Sequence, residues 1–169
     1  IVGIAYAALL VVMFAGSMDP LDDALRDLRF SASPRPATGS VVFVDIDSKS
    51  LSRVGVWPWP RHIHADLLNA VMALGANDVV FDVDFSVASS APEDAALAAA
   101  LENAGGYAYL AAFQQQKTGS GSTDFNLPLA QFRKLANPVA VNVSLDANGV
   151  VRRYGGTGND GFQTLAAVY

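Results

Sequence analysis

The chain has 169 residues, a net charge of −5, 51% hydrophobic residues and no cysteine. That length holds one hydrophobic core and an accessory segment. The acidic balance makes duplex nucleic acid a poor partner, and the lack of cysteine removes disulfides and thiol chemistry.

Residues 1–18 contain no charged side chain. An uncharged run close to the roughly 20 residues that span a bilayer predicts a membrane helix, truncated at its start. The rival reading is a secretory signal, with Ala15-Gly16-Ser17 as its cleavage site. Residues 19–40 form a second segment: a short charged helix on which Leu21, Leu25 and Leu28 share a face, followed by a Pro/Ser/Gly linker. Residues 41–169 make up the main domain, incomplete at its C-terminal end.

Residues 41–44 are a β-branched apolar run ending in Asp45-Ile46-Asp47, and residues 79–81 repeat the pattern before Asp82-Val83-Asp84-Phe85. Such runs predict strands buried on both faces. Between them Ile63, Leu67, Val71 and Leu74 recur at helical spacing, with Gly75 as the stop. Residues 48–54 read as a short helical turn ending at Gly55. Strand, helix, strand at this spacing is a βαβ unit with a parallel pair and a right-handed crossover.

Downstream, Ser90-Ala91-Pro92-Glu93 matches a capping box opening a helix that runs to about Asn103 and ends at Gly105-Gly106. Residues 107–113 predict a third strand, 114–124 a polar loop, and 127–136 a short helix. Residues 139–145 and 149–154 predict a hairpin around Asn148-Gly149, followed by a glycine-rich loop and the start of another helix. The expected fold is therefore α/β, with a mostly parallel sheet built on βαβ units and a C-terminal hairpin, preceded by a membrane helix.

The candidate functional residues collect where the strands end. Ligands bind open α/β sheets at the C-terminal strand edge. Asp45 and Asp47 share one face of their strand, and Asp82 and Asp84 share one face of theirs. Either the first pair binds a hard divalent cation through carboxylate oxygens, or these groups hold loop N–H groups and Arg61. The segment Trp57-Pro58-Trp59-Pro60-Arg61 is stiffened by its prolines. Its two tryptophans line a pocket or dimer surface, or else they lid the sheet edge. Arg61 grips an anion or, by the alternative, pairs with an Asp as a brace. His62 and His64 do not share a helix face, so they make a poor metal pair; His64 reads as a packed, hydrogen-bonded residue.

The pattern Asp45-Ile46-Asp47, Ser50-Leu51, Gly55, Trp57-Pro58-Trp59-Pro60-Arg61, His64-Ala65, Gly75-Ala76, Phe81-Asp82 and Phe85 resembles the type-two CHASE domain. The resemblance extends through Asp94 and the run from Asp146 to Arg153, which includes Arg152, and it covers roughly residues 41–169. It implies an extracytoplasmic sensory domain of the kind attached to bacterial adenylate cyclases, histidine kinases and diguanylate cyclases. The chain itself is then not an enzyme. It would sit in the bacterial inner membrane with residues from about 19 onward on the periplasmic side, act as a homodimer, and respond to a small-molecule or protein stimulus. No cofactor is expected, a divalent cation at Asp45 and Asp47 being the open option. Two other classes stand beside this reading. One is an Asp-dependent, Mg-assisted phosphoryl-transfer enzyme, since the apolar run before Asp-Ile-Asp resembles the first motif of haloacid-dehalogenase-type phosphatases; here Ser48-Lys49-Ser50 interrupts that motif. The other is a ligand-free dimerisation module.

Overall fold

The computed structural model describes residues 3, 19–55, 57–116, 123–143, 145–146 and 148–151. The expected membrane segment and Arg152 lie outside them, apart from Gly3. Among the described residues no helix is long and apolar enough to cross a membrane. The chain divides into two compact units, Ile1–Ile46 and Asp47–Tyr169.

In the first unit, α1 spans Asp19–Ala32. An Asp22–Arg26 pair one turn apart spans 2.8 Å on its surface, an exposed contact of small energetic weight. Leu21, Leu25 and Leu28 share a face as expected, and all three are exposed. Residues 41–47 carry no regular structure, which corrects the expected first strand. Phe43 is 88% exposed and Val42 80%. β-branched residues favour an extended chain, but a strand exists only within a ladder. Residues 41–44 have no ladder partner among the described residues.

The second unit begins with α2, Ser48–Val54. Asp47 is its N-cap: its Oδ1 accepts from the Ser50 N–H and from the Ser50 hydroxyl, both at 2.8 Å. Gly55 ends it at φ 121° and returns its N–H to the Leu51 carbonyl, a conformation that favours glycine. The helix α3 follows, Arg61–Ala73, and Gly75 stops it at φ 93°.

The buried face of α3 is Arg61, His64, Ala65 and Leu68, at the i, i+3, i+4, i+7 positions of one helical face. The expected stripe through Ile63, Leu67, Val71 and Leu74 is therefore displaced. Its first three members are half-buried and Leu74 is 88% exposed. Two polar side chains turn inward because each finds partners there.

Strand β1 (Val79–Phe81), helix α4 (Ala91–Asn103) and strand β2 (Ala108–Gln116) form the βαβ unit. Val79 pairs with Ala108 and Phe81 with Leu110 in parallel register. Strand β4 (Asn137–Ala140) lies parallel to β2, and strand β3 (Thr123–Asn126) antiparallel to its far end. A single-turn 3-10 helix, Phe132–Lys134, precedes β4.

The sheet is thus mostly parallel, with β2–β3 as its antiparallel pair among the described residues; the expected C-terminal hairpin lies partly outside them, at residues 144, 147 and 152–154. β2 runs on through Gln114–Gln116, a stretch read as loop, because backbone pairing does not require apolar side chains. Near the predicted turn, the Asp146 N–H donates to the Val150 carbonyl and the Gly149 N–H to the Asp146 carbonyl. Beyond β4 the ladder continues through a side chain: Asn142 Oδ1 accepts from the Gln114 N–H.

The core sits between the helices and the sheet. Leu68 from α3 meets Leu97, Ala100, Leu101 and Ala104 from α4, with Phe81, Leu110, Phe85 and Phe132 beneath. The alanines of α4 let the two helices approach closely.

Candidate functional site

The site is built around Arg61, the first residue of α3, which is only 8% exposed. A buried guanidinium must be compensated, and three segments of the chain do this. Its Nε lies 2.8 Å from Asp94 Oδ1 on α4. One Nη donates to the Val87 carbonyl in the loop after β1. The guanidinium carbon sits 5.2 Å from the centroid of Phe85 and 5.1 Å from that of Phe132, within cation–π range of both. The other Nη is enclosed with no hydrogen-bond partner among the described residues. Burial lowers the arginine's pKa, while Asp94 and Asp84 oppose the shift; the group stays charged at any working pH.

The brace reading of Arg61 thus fits the geometry, with Asp94, a residue within the span of the family resemblance, as its partner. Asp94 is 7% exposed and also accepts from the Ser89 N–H at 3.2 and 3.3 Å. Beside it, Glu93 does not close a capping box on its own helix, and Ser90 makes no side-chain cap bond. Glu93 Oε2 instead accepts the backbone N–H of His62 at 2.8 Å, and His62 Nδ1 lies 2.8 and 2.9 Å from its two oxygens. Pro60 supplies no side-chain cap to α3, so a residue of α4 takes up one of its free N-terminal donors. These bonds, first the backbone one and then that of the ring, hold the Glu93 carboxyl below its ordinary range.

Above Arg61 the aromatic side chains stack in a column. Trp57 and Trp59 meet edge to face at 5.8 Å. Trp59 Nε1 donates to the Gly55 carbonyl at 2.9 Å, and the Trp57–Pro58 peptide is cis. Both tryptophans face His64, at 5.7 and 6.2 Å. His64 in turn contacts Phe81 at 6.2 Å and Phe85 at 5.5 Å, and Phe85 contacts Phe132 at 6.3 Å. These separations are those of favourable aromatic pairs. His64 is 3% exposed; desolvation, and then the charge of Arg61, lower its pKa, so the ring is neutral at neutral pH.

The acidic candidates do not converge in the same way. Asp45 is exposed in the first unit. Asp47 is committed as the cap of α2, which lowers its pKa, chiefly through the Ser50 N–H. Asp82 is exposed. Asp84 ties the loop after β1 to β3: its Oδ1 accepts from the Ser86 N–H at 2.8 Å and its Oδ2 from Asn126 Nδ2 at 3.0 Å. Among the described residues no group of three acidic or histidine side chains is placed to hold a metal ion.

The structure therefore brings together Trp57, Trp59, Arg61 and His64, and adds Phe85, Glu93, Asp94 and Phe132. The arrangement fastens the 57–60 loop and the starts of two helices into one rigid cluster. The family model described as CHASE2 domain matches residues 4–168 of the chain, a span that contains every one of these positions. No curated protein and no solved structure matches the chain.

Proposed function

The chain belongs to the CHASE2 family of sensory domains, and from that premise we propose that it is the extracytoplasmic input domain of a membrane-bound bacterial signalling protein. In this reading it takes up a stimulus on the periplasmic side and relays it through a membrane helix in residues 1–18 to a cytoplasmic output domain. The observation that supports it best is the braced cluster at Arg61. A displacement of the tryptophan loop moves α3, α4 and the loop after β1 together, because one guanidinium is tied to Asp94, Val87, Phe85 and Phe132. That is the behaviour of a relay.

The stimulus is a small molecule or a protein, and the exposed rim of the tryptophan loop, where Trp57 is 41% exposed, is the surface it would meet. A homodimer paired through Leu21, Leu25 and Leu28 of α1 would carry the movement towards the membrane, since cyclic dimers are the commonest homo-oligomers. The test is made on the intact membrane protein. Protease added to sealed spheroplasts should cleave sites beyond residue 19 and spare the output domain. Protection of those sites would place the domain on the wrong side and end this reading. A thermal-shift screen with small metabolites and divalent ions then asks whether a soluble stimulus binds.

A further inference from the structure

We propose that His64 makes the docking of the loop of residues 57–60 acid-labile, so that protonation of its ring releases the two tryptophans and turns this face of the domain into a proton-responsive switch. The inference does not depend on the signalling role, because the opening of the loop is read directly. His64 stands between the loop and the core. Trp57 lies edge-on above it, with ring planes at 87°, and Phe85 lies edge-on below it at 83°.

Among the described residues, the neighbours that face His64 offer no anion. From the loop these are Trp57 and Trp59, from β1 Phe81, and from the segment after β1 Phe85. On its own helix, the charged group acting on it is the cation of Arg61. The carboxylates Asp94 of α4 and Asp84 of the loop after β1 act on Arg61. His62 and Glu93 pair with each other on the exposed side of α3. A proton on His64 would thus place a second positive charge beside Arg61, at a position enclosed from water.

The direction of the pH effect follows. Burial and the Arg61 charge hold the docked ring below its ordinary value of 6.5, whereas an undocked ring is free to take up the proton there. Docking is at full strength above about pH 6.5 and weakens as the pH falls below it. Both tryptophans of the loop rest on His64, whereas the core beneath is also held by Leu68, Leu97 and Leu101, so the loop yields before the domain does.

The chain supplies its own reporter, since Trp57 and Trp59 are its only tryptophans. The 169-residue chain is titrated from about pH 8 to about pH 4 while tryptophan emission and the ring resonances of its two histidines are followed. The expected result is a reversible red shift with its midpoint below 6.5. That midpoint coincides with the titration of one histidine, is absent from His64→Phe and is unchanged in His62→Gln. Constant emission while both histidines titrate overturns the proposal, as does a transition that persists in His64→Phe or follows His62. If His64→Phe does not fold, as judged by far-UV circular dichroism, the wild-type titration decides alone. A shared midpoint of emission and the histidine that moves with it supports the switch, and separate midpoints overturn it.

Discussion

Replacing Arg61 by alanine tests the brace most directly. The side chains of Arg61 and Asp94 are 9% and 10% exposed, and 2.8 Å separates Nε from Oδ1. Removing the cation leaves Asp94 buried, with the Ser89 N–H still donating to it at 3.2 Å. Breaking a buried pair from one side costs roughly 3–5 kcal/mol. Two ring contacts, worth about 0.5–2 kcal/mol each, are lost with it and overlap that figure. The expected destabilisation is therefore about 4 kcal/mol, a large share of the roughly 5–15 kcal/mol that holds a domain folded. In urea, with a slope of about 1–3 kcal/mol per molar, the midpoint should fall by at least about 1 M. The pair contribution is isolated by a double-mutant cycle with Asp94→Ala, where a coupling of about 1.5–3 kcal/mol is expected for a charged hydrogen bond. The joint replacement Arg61→Met with Asp94→Leu should recover most of the loss, since an apolar pair of similar volume needs no compensation. Coupling near zero, or an Arg61→Ala midpoint within error of wild type, would refute the reasoning and leave Arg61 as a solvated side chain.

Three further outcomes are expected. Leu97→Ala removes a fully enclosed side chain at the meeting of the two helices and should cost about 2–5 kcal/mol by urea unfolding; a loss under 1 kcal/mol would mean the site collapses around the gap. The Glu93 carboxyl sits below its ordinary value of 4.5 when folded, so the bonds it makes to His62 are at full strength above about pH 4.5 and are lost as the pH falls through its lowered value. Glu93→Gln should flatten that acid limb in unfolding measured against pH, and identical limbs would show the carboxylate to be idle. Leu25→Asp on the exposed stripe of α1 should abolish stimulus-dependent output of the intact protein while tryptophan emission still reports a folded 57–60 loop; wild-type output would defeat the lever idea.

The helices of the second unit were legible because their signals are local. Gly55, Gly75 and Gly105-Gly106 each stop an element through bonds to near neighbours, and the structure ends α2, α3 and α4 against them; Asp47, read as a strand-end carboxylate, is the cap that starts α2. The parallel pair expected from the sequence joined residues 41–44 to 79–81; the pair the structure forms is β1 with β2, on either side of α4. What escaped was set by distant partners. The buried face of α3 contains an arginine and a histidine, which a hydropathy pattern assigns to solvent, so the stripe was drawn one position away. Glu93 had a local explanation as a capping residue, and only the folded chain shows it bonded across to His62. The polar glutamines of β2 carry no strand signal, although their backbone pairs with β3. Conversely, residues 41–44 have the strongest strand composition in the chain and no ladder among the described residues, because composition cannot supply a partner. Of the candidate site, the tryptophan–proline–arginine segment was found by its motif. Its anchors Phe85 and Asp94 fall within the family resemblance without being read as its partners, and Phe132 had no pattern linking it to the segment.

The reach of Arg61 also sets how the domain must be assembled. Its closest hydrogen-bond partner in sequence, the Val87 carbonyl, lies 26 residues downstream, and Asp94 and Phe132 follow later still. A chain growing from its N-terminus makes α3 long before it makes these anchors, so the arginine waits in water until the second helix and the 3-10 turn arrive. Contacts of this span slow folding, because the intervening loop must close before anything is gained. A nascent chain that stops short of Phe132 therefore holds the polar member of its core without the rings that cover it. Fragments cut anywhere between residues 61 and 132 should expose apolar surface and aggregate. Any boundary chosen for expressing or transplanting this domain has to keep that whole interval on one piece.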